Sequence, residues 1–87
     1  MKSKATPKFW KFYERLPADI QQRSRKAYQA WKTDPGYPSL HFKRVDEEYP
    51  IYSARISDEY RALGILEGDT VIWYWIGSHD EYMRLLR

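Results

Sequence analysis

The period of the apolar residues changes once along this chain, and the change falls at Asp34-Pro35-Gly36. Before that point large apolar side chains recur every three or four residues. After Pro38 they come in short runs rich in β-branched and aromatic residues. A chain patterned this way folds as helices followed by strands, which is the order of an α+β domain. With 87 residues it can fill one core and not two, so a single domain over 1–87 is expected.

The helical half reads in two pieces. Thr6-Pro7 offers an N-cap hydroxyl and a proline at the first helical position, and Phe9, Trp10, Phe12, Tyr13 and Leu16 follow at helical spacing. The spacing predicts a first helix over 7–15, broken at Leu16-Pro17, with Pro17 opening a second. In that second helix Ile20, Ala27, Tyr28 and Trp31 share one face, and Arg23, Arg25, Lys26 and Lys32 lie on the other. Two helices joined by a tight break form an antiparallel hairpin. The strand half predicts 40–45, 50–56, 60–66 and 70–76, separated by the acidic turns 46–48, 57–59 and 67–69. Consecutive strands with short turns form a twisted antiparallel meander of about four strands, with the helical hairpin covering one face. A short strand near Lys2–Ala5 and a terminal turn or helix from Asp80 are weaker signals.

Composition excludes several classes. There are no cysteines, so disulfides and thiolate metal sites are ruled out. No apolar run approaches the length that spans a bilayer, and the Lys-rich start lacks a signal peptide's apolar stretch, which points to a cytoplasmic protein with no membrane partner. The net charge of +3 is unevenly placed, with +8 in residues 1–44 and −5 in residues 45–87. A basic half suits a polyanion such as nucleic acid, and equally a solvated helical face.

Strand alternation groups the candidate chemistry. Ser53 and Arg55 share one face of their strand, while Tyr52, Ala54 and Ile56 take the other, toward the helices. Arg61 is placed to emerge on the same face as Arg55. His79 and Tyr82 follow the last strand at an edge from which they can reach that face. Two guanidiniums, an imidazole and a phenol suit phosphodiester chemistry. Arginine binds phosphate and stabilises the charge that builds on it. Imidazole exchanges protons near neutral pH, and a phenol donates a proton or stacks on a base. No acidic cluster suggests a divalent metal, so no cofactor is expected and any cleavage would use a ribose 2′-hydroxyl. His41 and Lys43 alternate on one face of a strand and would extend the basic surface. The plainer alternatives are a surface or capping role for His79, and pairing of Arg55 and Arg61 with Asp58, Glu59 or the 46–48 turn.

Pro-Ser-Leu-His-Phe-Lys at 38–43, Tyr-Ser-Ala-Arg-Ile at 52–56, Tyr-Arg-Ala-Leu-Gly at 60–64 and Trp-Ile-Gly-Ser-His-Asp-Glu-Tyr at 75–82 resemble the RelE/ParE toxin superfamily of bacterial type II toxin–antitoxin systems. The resemblance implies a microbial RNase-like fold. It implies a cognate antitoxin and, in the RelE branch, metal-independent cleavage of mRNA on the ribosome by 2′-hydroxyl attack. It implies DNA contact only through the antitoxin complex. Arg61 falls where the family places its phosphate-binding arginine, and Arg55 at a basic position on the preceding strand. His79 and Tyr82 match the groups after the last strand. Arg23, Arg25, Lys26, His41 and Lys43 would contact RNA, the helical ones ribosomal RNA. Ser53 stands where ribosome-dependent members often have a lysine. The ParE branch, which poisons DNA gyrase, and a detoxified antitoxin-binding relative are the alternatives.

Overall fold

A computed structural model describes residues 1–85. Its order is β1 (Lys2–Ala5), α1 (Pro7–Glu14), α2 (Ala18–Thr33), a 3-10 turn (Pro38–Leu40), β2 (Lys43–Arg44), β3 (Ile51–Ser57), β4 (Tyr60–Glu67), β5 (Thr70–Ser78) and α3 (His79–Leu85). The strands form one five-stranded sheet in the order β1-β5-β4-β3-β2. The meander β2 to β5 is antiparallel as expected, and β1 adds a fifth strand parallel to β5.

Local chemistry explains the helix ends. The Thr6 hydroxyl accepts from the Phe9 N–H at 3.1 Å, with Pro7 next to it in the first turn of α1. Pro17 stands at the N-cap of α2 without a side-chain cap, so the Leu16-Pro17 break separates the helices as its sequence implies. The Asp34 carboxylate accepts from the Gly36 N–H at 2.9 Å and turns the chain out of α2. One expected strand shrinks. Residues 40–45 pair only at Lys43 and Arg44, because Pro38 starts a 3-10 turn that ends on His41 at a left-handed φ of 43°. His41 is therefore exposed at a turn and not on a strand face with Lys43.

Both faces of the sheet carry apolar clusters. α1 lies on β5 and α2 on β3, and beneath them Ile20, Trp31, Ala54, Val71, Trp73 and Ile76 are buried. Ala54 and Ile56 point to the helices, as their alternation implies. The indole N–H groups of Trp31 and Trp73 are buried with no oxygen or nitrogen partner. The two rings meet edge to face at 5.5 Å and 76°, an arrangement in which a ring face can receive an N–H. On the other face Leu63, Trp75 and Tyr82 form a smaller cluster. That face is thus not open throughout, since α3 folds back over its centre and buries Tyr82 there.

A bulge makes the two-sided arrangement possible. Leu63 pairs with Trp75 but Gly64 pairs with Trp73, so Tyr74 is an extra residue on β5. Without it Trp73 and Trp75 would share a face. With it Trp73 enters the helix-side core and Trp75 the opposite cluster. Gly64 is required at this site, because a Cβ there would stand 2.5 Å from Val71 Cγ1 and 2.9 Å from the Trp73 ring.

Candidate nucleic-acid site at the β3–β4 turn

Cross-strand register brings the two arginines together. Arg55 on β3 is directly opposite Arg61 on β4, which in turn pairs with Gly77 on β5. Paired residues share a face, so both guanidiniums leave the sheet on the side away from α1 and α2. One row further along, Lys43, Ser53, Leu63 and Trp75 are successive partners and share that face. Lys43 therefore stands at the sheet edge beside Ser53, two residues along from the row of Arg55. Ser53 itself is 3% exposed and offers no group to solvent.

The turn joining β3 to β4 organises the site. Asp58 and Glu59 form its tip, and neither has positive φ, so it is not a primed hairpin turn. The ladder absorbs the mismatch with a bulge at Ile56. Arg61 Nη1 donates to the carbonyls of Ser57 and Tyr60, the latter at 2.9 Å, with a weaker contact to Asp58 O at 3.4 Å. Arg55 Nη2 donates to Asp58 Oδ1 at 2.5 Å. The His79 backbone N–H donates to Glu59 O at 2.5 Å and so fastens the start of α3 to the same turn. Of the pairings open to Arg55, the structure selects Asp58 alone.

Charge follows this geometry. Arg55 holds the Asp58 carboxyl below its ordinary value, chiefly through the hydrogen bond and then through its charge; Arg61 and Arg23 contribute smaller amounts in the same direction. Burial pushes the Arg61 guanidinium down, and Arg55 adds to this, while Tyr82 and Asp58 oppose it. Arg61 nonetheless stays cationic. The turn therefore sets two guanidiniums beside two exposed carboxylates at its tip, of which Asp58 is bonded to an arginine and Glu59 is not.

The remaining candidates sort by position. His79 is half-buried at the first position of α3, its ring 5.8 Å from that of Tyr82. Tyr82 is 7% exposed against Leu63 and Trp75, so its ring is covered and cannot stack on a base. α3 starts with a serine cap the sequence reading missed: Glu81 N–H donates to Ser78 Oγ at 3.3 Å, and the Ser78 hydroxyl donates to Glu81 Oε1 at 3.1 Å. The Ser-x-x-Glu spacing at 78–81 was its visible signal. The basic trio of α2 does not act as one patch. Arg23 is near enough to affect Asp58, while Arg25 turns to α1 and donates to the Tyr13 hydroxyl at 2.5 Å. Lys26 is exposed, as is His41, which lies off the strand. Among the described residues no group of three or more His, Asp or Glu could hold a metal ion.

A family profile described as the ParE-like toxin domain matches residues 18–84, spanning every element named here from α2 to α3. The chain belongs to the ParE-like toxin family. Among solved structures, a chain of the RelB–RelE antitoxin–toxin complex from Methanococcus jannaschii superposes with a TM-score of 0.77 at 16% identity, covering 97% of this chain and 99% of that one. The YoeB/ParE toxin from Agrobacterium tumefaciens gives 0.71 at 20% identity, with 91% and 99% covered. A chain of the RelBE2 toxin–antitoxin complex from Mycobacterium tuberculosis gives 0.70 at 20% identity, with 90% and 96% covered. These likenesses establish the RelE-type fold. A sequence comparison with curated proteins found no match.

In this ParE-like toxin domain an apolar groove lies elsewhere. It has a volume of about 450 Å³ and lies between the helices and β1, lined mainly by apolar side chains such as Phe9, Trp10, Tyr28 and Trp31. Its lining includes none of Arg55, Arg61, His79 and Tyr82. No helix among the described residues is long and apolar enough to cross a membrane.

Proposed function

We propose that this chain is the toxin of a type II toxin–antitoxin pair, acting in the cytoplasm as a metal-independent endoribonuclease on ribosome-bound mRNA. The observation that carries this reading is the meeting of Arg55, Arg61, Tyr82 and the start of α3 at His79 around one hairpin turn. In the step that suits this set, the ribose 2′-oxygen attacks the neighbouring phosphorus and loses its proton. The bond to the 5′-oxygen breaks and that oxygen gains a proton, leaving a 2′,3′-cyclic phosphate and a 5′-hydroxyl. Arg61 and Arg55 stabilise the extra charge on the phosphoryl oxygens. His79 is the proton-transfer group, and Tyr82 supports it from beneath by ring packing. Lys43 and Arg23 lengthen the cationic track for flanking phosphates, and Lys26 and His41 lie further out.

Two of the similar structures are antitoxin–toxin complexes, and that supports a cognate antitoxin here. The ParE-like description of the family keeps gyrase inhibition as the second reading. Induced expression with mapping of new mRNA 5′ ends separates them. The nuclease reading expects discrete new ends bearing 5′-hydroxyls, and a loss of roughly 10²–10³ in cleavage rate for Arg61→Ala. His79→Ala should also relieve growth arrest while the protein stays folded. Full toxicity in both folded variants, or double-strand DNA breaks with intact transcripts, would sink it.

A further inference from the structure

The arginine pair poses a question that packing does not answer. Like charges directly opposite one another in an antiparallel ladder repel, and Arg55 and Arg61 are such a pair. Arg23 adds a third charge from α2. One carboxylate, that of Asp58, is bonded to the pair, and its side chain is 93% exposed at the tip of a two-residue turn. A carboxylate that exposed can leave cheaply, because ion pairs in water are weak.

The donors left over are suited to an anion. Arg61 makes all its side-chain contacts through Nη1, and Arg55 makes its own through Nη2. Among the described residues the Nε–Nη2 edge of Arg61 has no partner, and neither do Nε and Nη1 of Arg55. One planar edge of a guanidinium is the shape that binds two phosphate oxygens together.

We propose that Asp58 is a built-in competitor for the anion site: its carboxylate holds Arg55 in the free protein and is displaced when an oxyanion bridges Arg55 and Arg61. This deepens the nuclease reading and rests on it for the identity of the oxyanion, a backbone phosphate of RNA. The contact makes the site selective. A small mono- or dianion must displace Asp58 with nothing else to gain. A polynucleotide reaches Arg23 and Lys43 at the same time and overcomes the competitor.

The test measures binding and not cleavage, so it can fail independently of the nuclease reading. Inorganic sulfate and a non-cleavable 2′-O-methyl trinucleotide are titrated at constant ionic strength, following the arginine Nε–H resonances. Asp58→Asn and Asp58→Ser should bind both about three- to tenfold more tightly than the parent. Asp58→Glu should match the parent, and adding Arg61→Ala to Asp58→Asn should abolish the gain. A gain for sulfate alone upholds the competitor while removing RNA as its natural displacer. Unchanged or weaker binding of sulfate in both neutral variants, or no binding by any form, overturns the proposal.

Discussion

At the scale of single residues, the two ends of Arg61 do different work. Its Nη1 ties down carbonyls of the β3–β4 turn, and its other edge has no hydrogen-bond partner among the described residues. Arg61→Ala should therefore cost about 1–2 kcal/mol in urea unfolding, from lost hydrogen bonds to the turn. Loss of activity beyond that belongs to the unpartnered edge, and Arg61→Lys should recover more of the stability than of the activity. Asp58 gives a pH signature. Its carboxyl is held below its unfolded value by Arg55 first, then by Arg61 and Arg23, all of which keep their charge in acid. A carboxyl lowered in the folded state contributes stability that is complete above the unfolded value of about 4 and is lost as pH falls through the lower folded value. Thermal unfolding from pH 5 down to 2 should thus fall less steeply in Asp58→Asn than in the parent. Asp46, lowered by the N–H groups of Tyr49 and Glu48, keeps the same direction in both proteins. The shared face of the arginines was legible from alternation along each strand, because Ala54 and Ala62 beside them pack inward. Their direct pairing was not, since a plain two-residue turn would set Arg61 opposite Ile56 and only the bulge there sets it opposite Arg55. Nor was the burial of Ser53, since alternation tells which face a residue takes and not whether another element covers it.

At the scale of elements, the difficulty was a run without alternation. Val71-Ile72-Trp73-Tyr74-Trp75-Ile76 reads as a strand buried on both faces, and nothing in it marks an extra residue at Tyr74. The bulge became visible only through the partner strand, where Gly64 makes room for Trp73. Gly77 has a parallel cause. A Cβ there would stand 2.5 Å from Trp75 Cζ2, so the indole lies on the backbone of the residue that pairs with Arg61. Gly77→Ala must push a large ring out of a cluster that also holds Leu63 and Tyr82. The expected cost is about 1–3 kcal/mol by chemical denaturation, with altered near-UV dichroism from the displaced tryptophan. Tyr82 would shift with it, so activity should fall even at temperatures where the variant is fully folded. The Gly within the 75–82 motif thus belongs to packing, and it shapes the site through Trp75.

For the whole molecule, the decisive contact joins the first residues to the last strand. β1 lies parallel to β5 with Lys2 paired to Thr70 and Ala5 to Trp73, and the flanking N–H groups of Lys2 and Thr6 donate to Asp69 O and Trp73 O. Such a parallel pairing needs a long crossover, and here α1 through β4 intervene between its two strands. A four-residue segment of alternating lysines carries little strand signal of its own, which is why sequence patterning gave it so weakly. The lysines make sense once β1 is seen as an edge. Lys2 and Lys4 are exposed there, and charge on an edge strand discourages pairing with another sheet. Deleting residues 1–5 should uncover the edge of β5, a strand rich in Trp, Tyr and Ile with no charge between Val71 and Ser78. Loss of about 2 kcal/mol of net hydrogen bonding would lower the melting temperature of a domain this size by roughly 8–16 °C. The exposed edge should also drive concentration-dependent self-association, measurable by sedimentation velocity. A truncated chain that melts like the parent and stays monomeric at high concentration would show that α1, which lies on β5, shields that strand without β1.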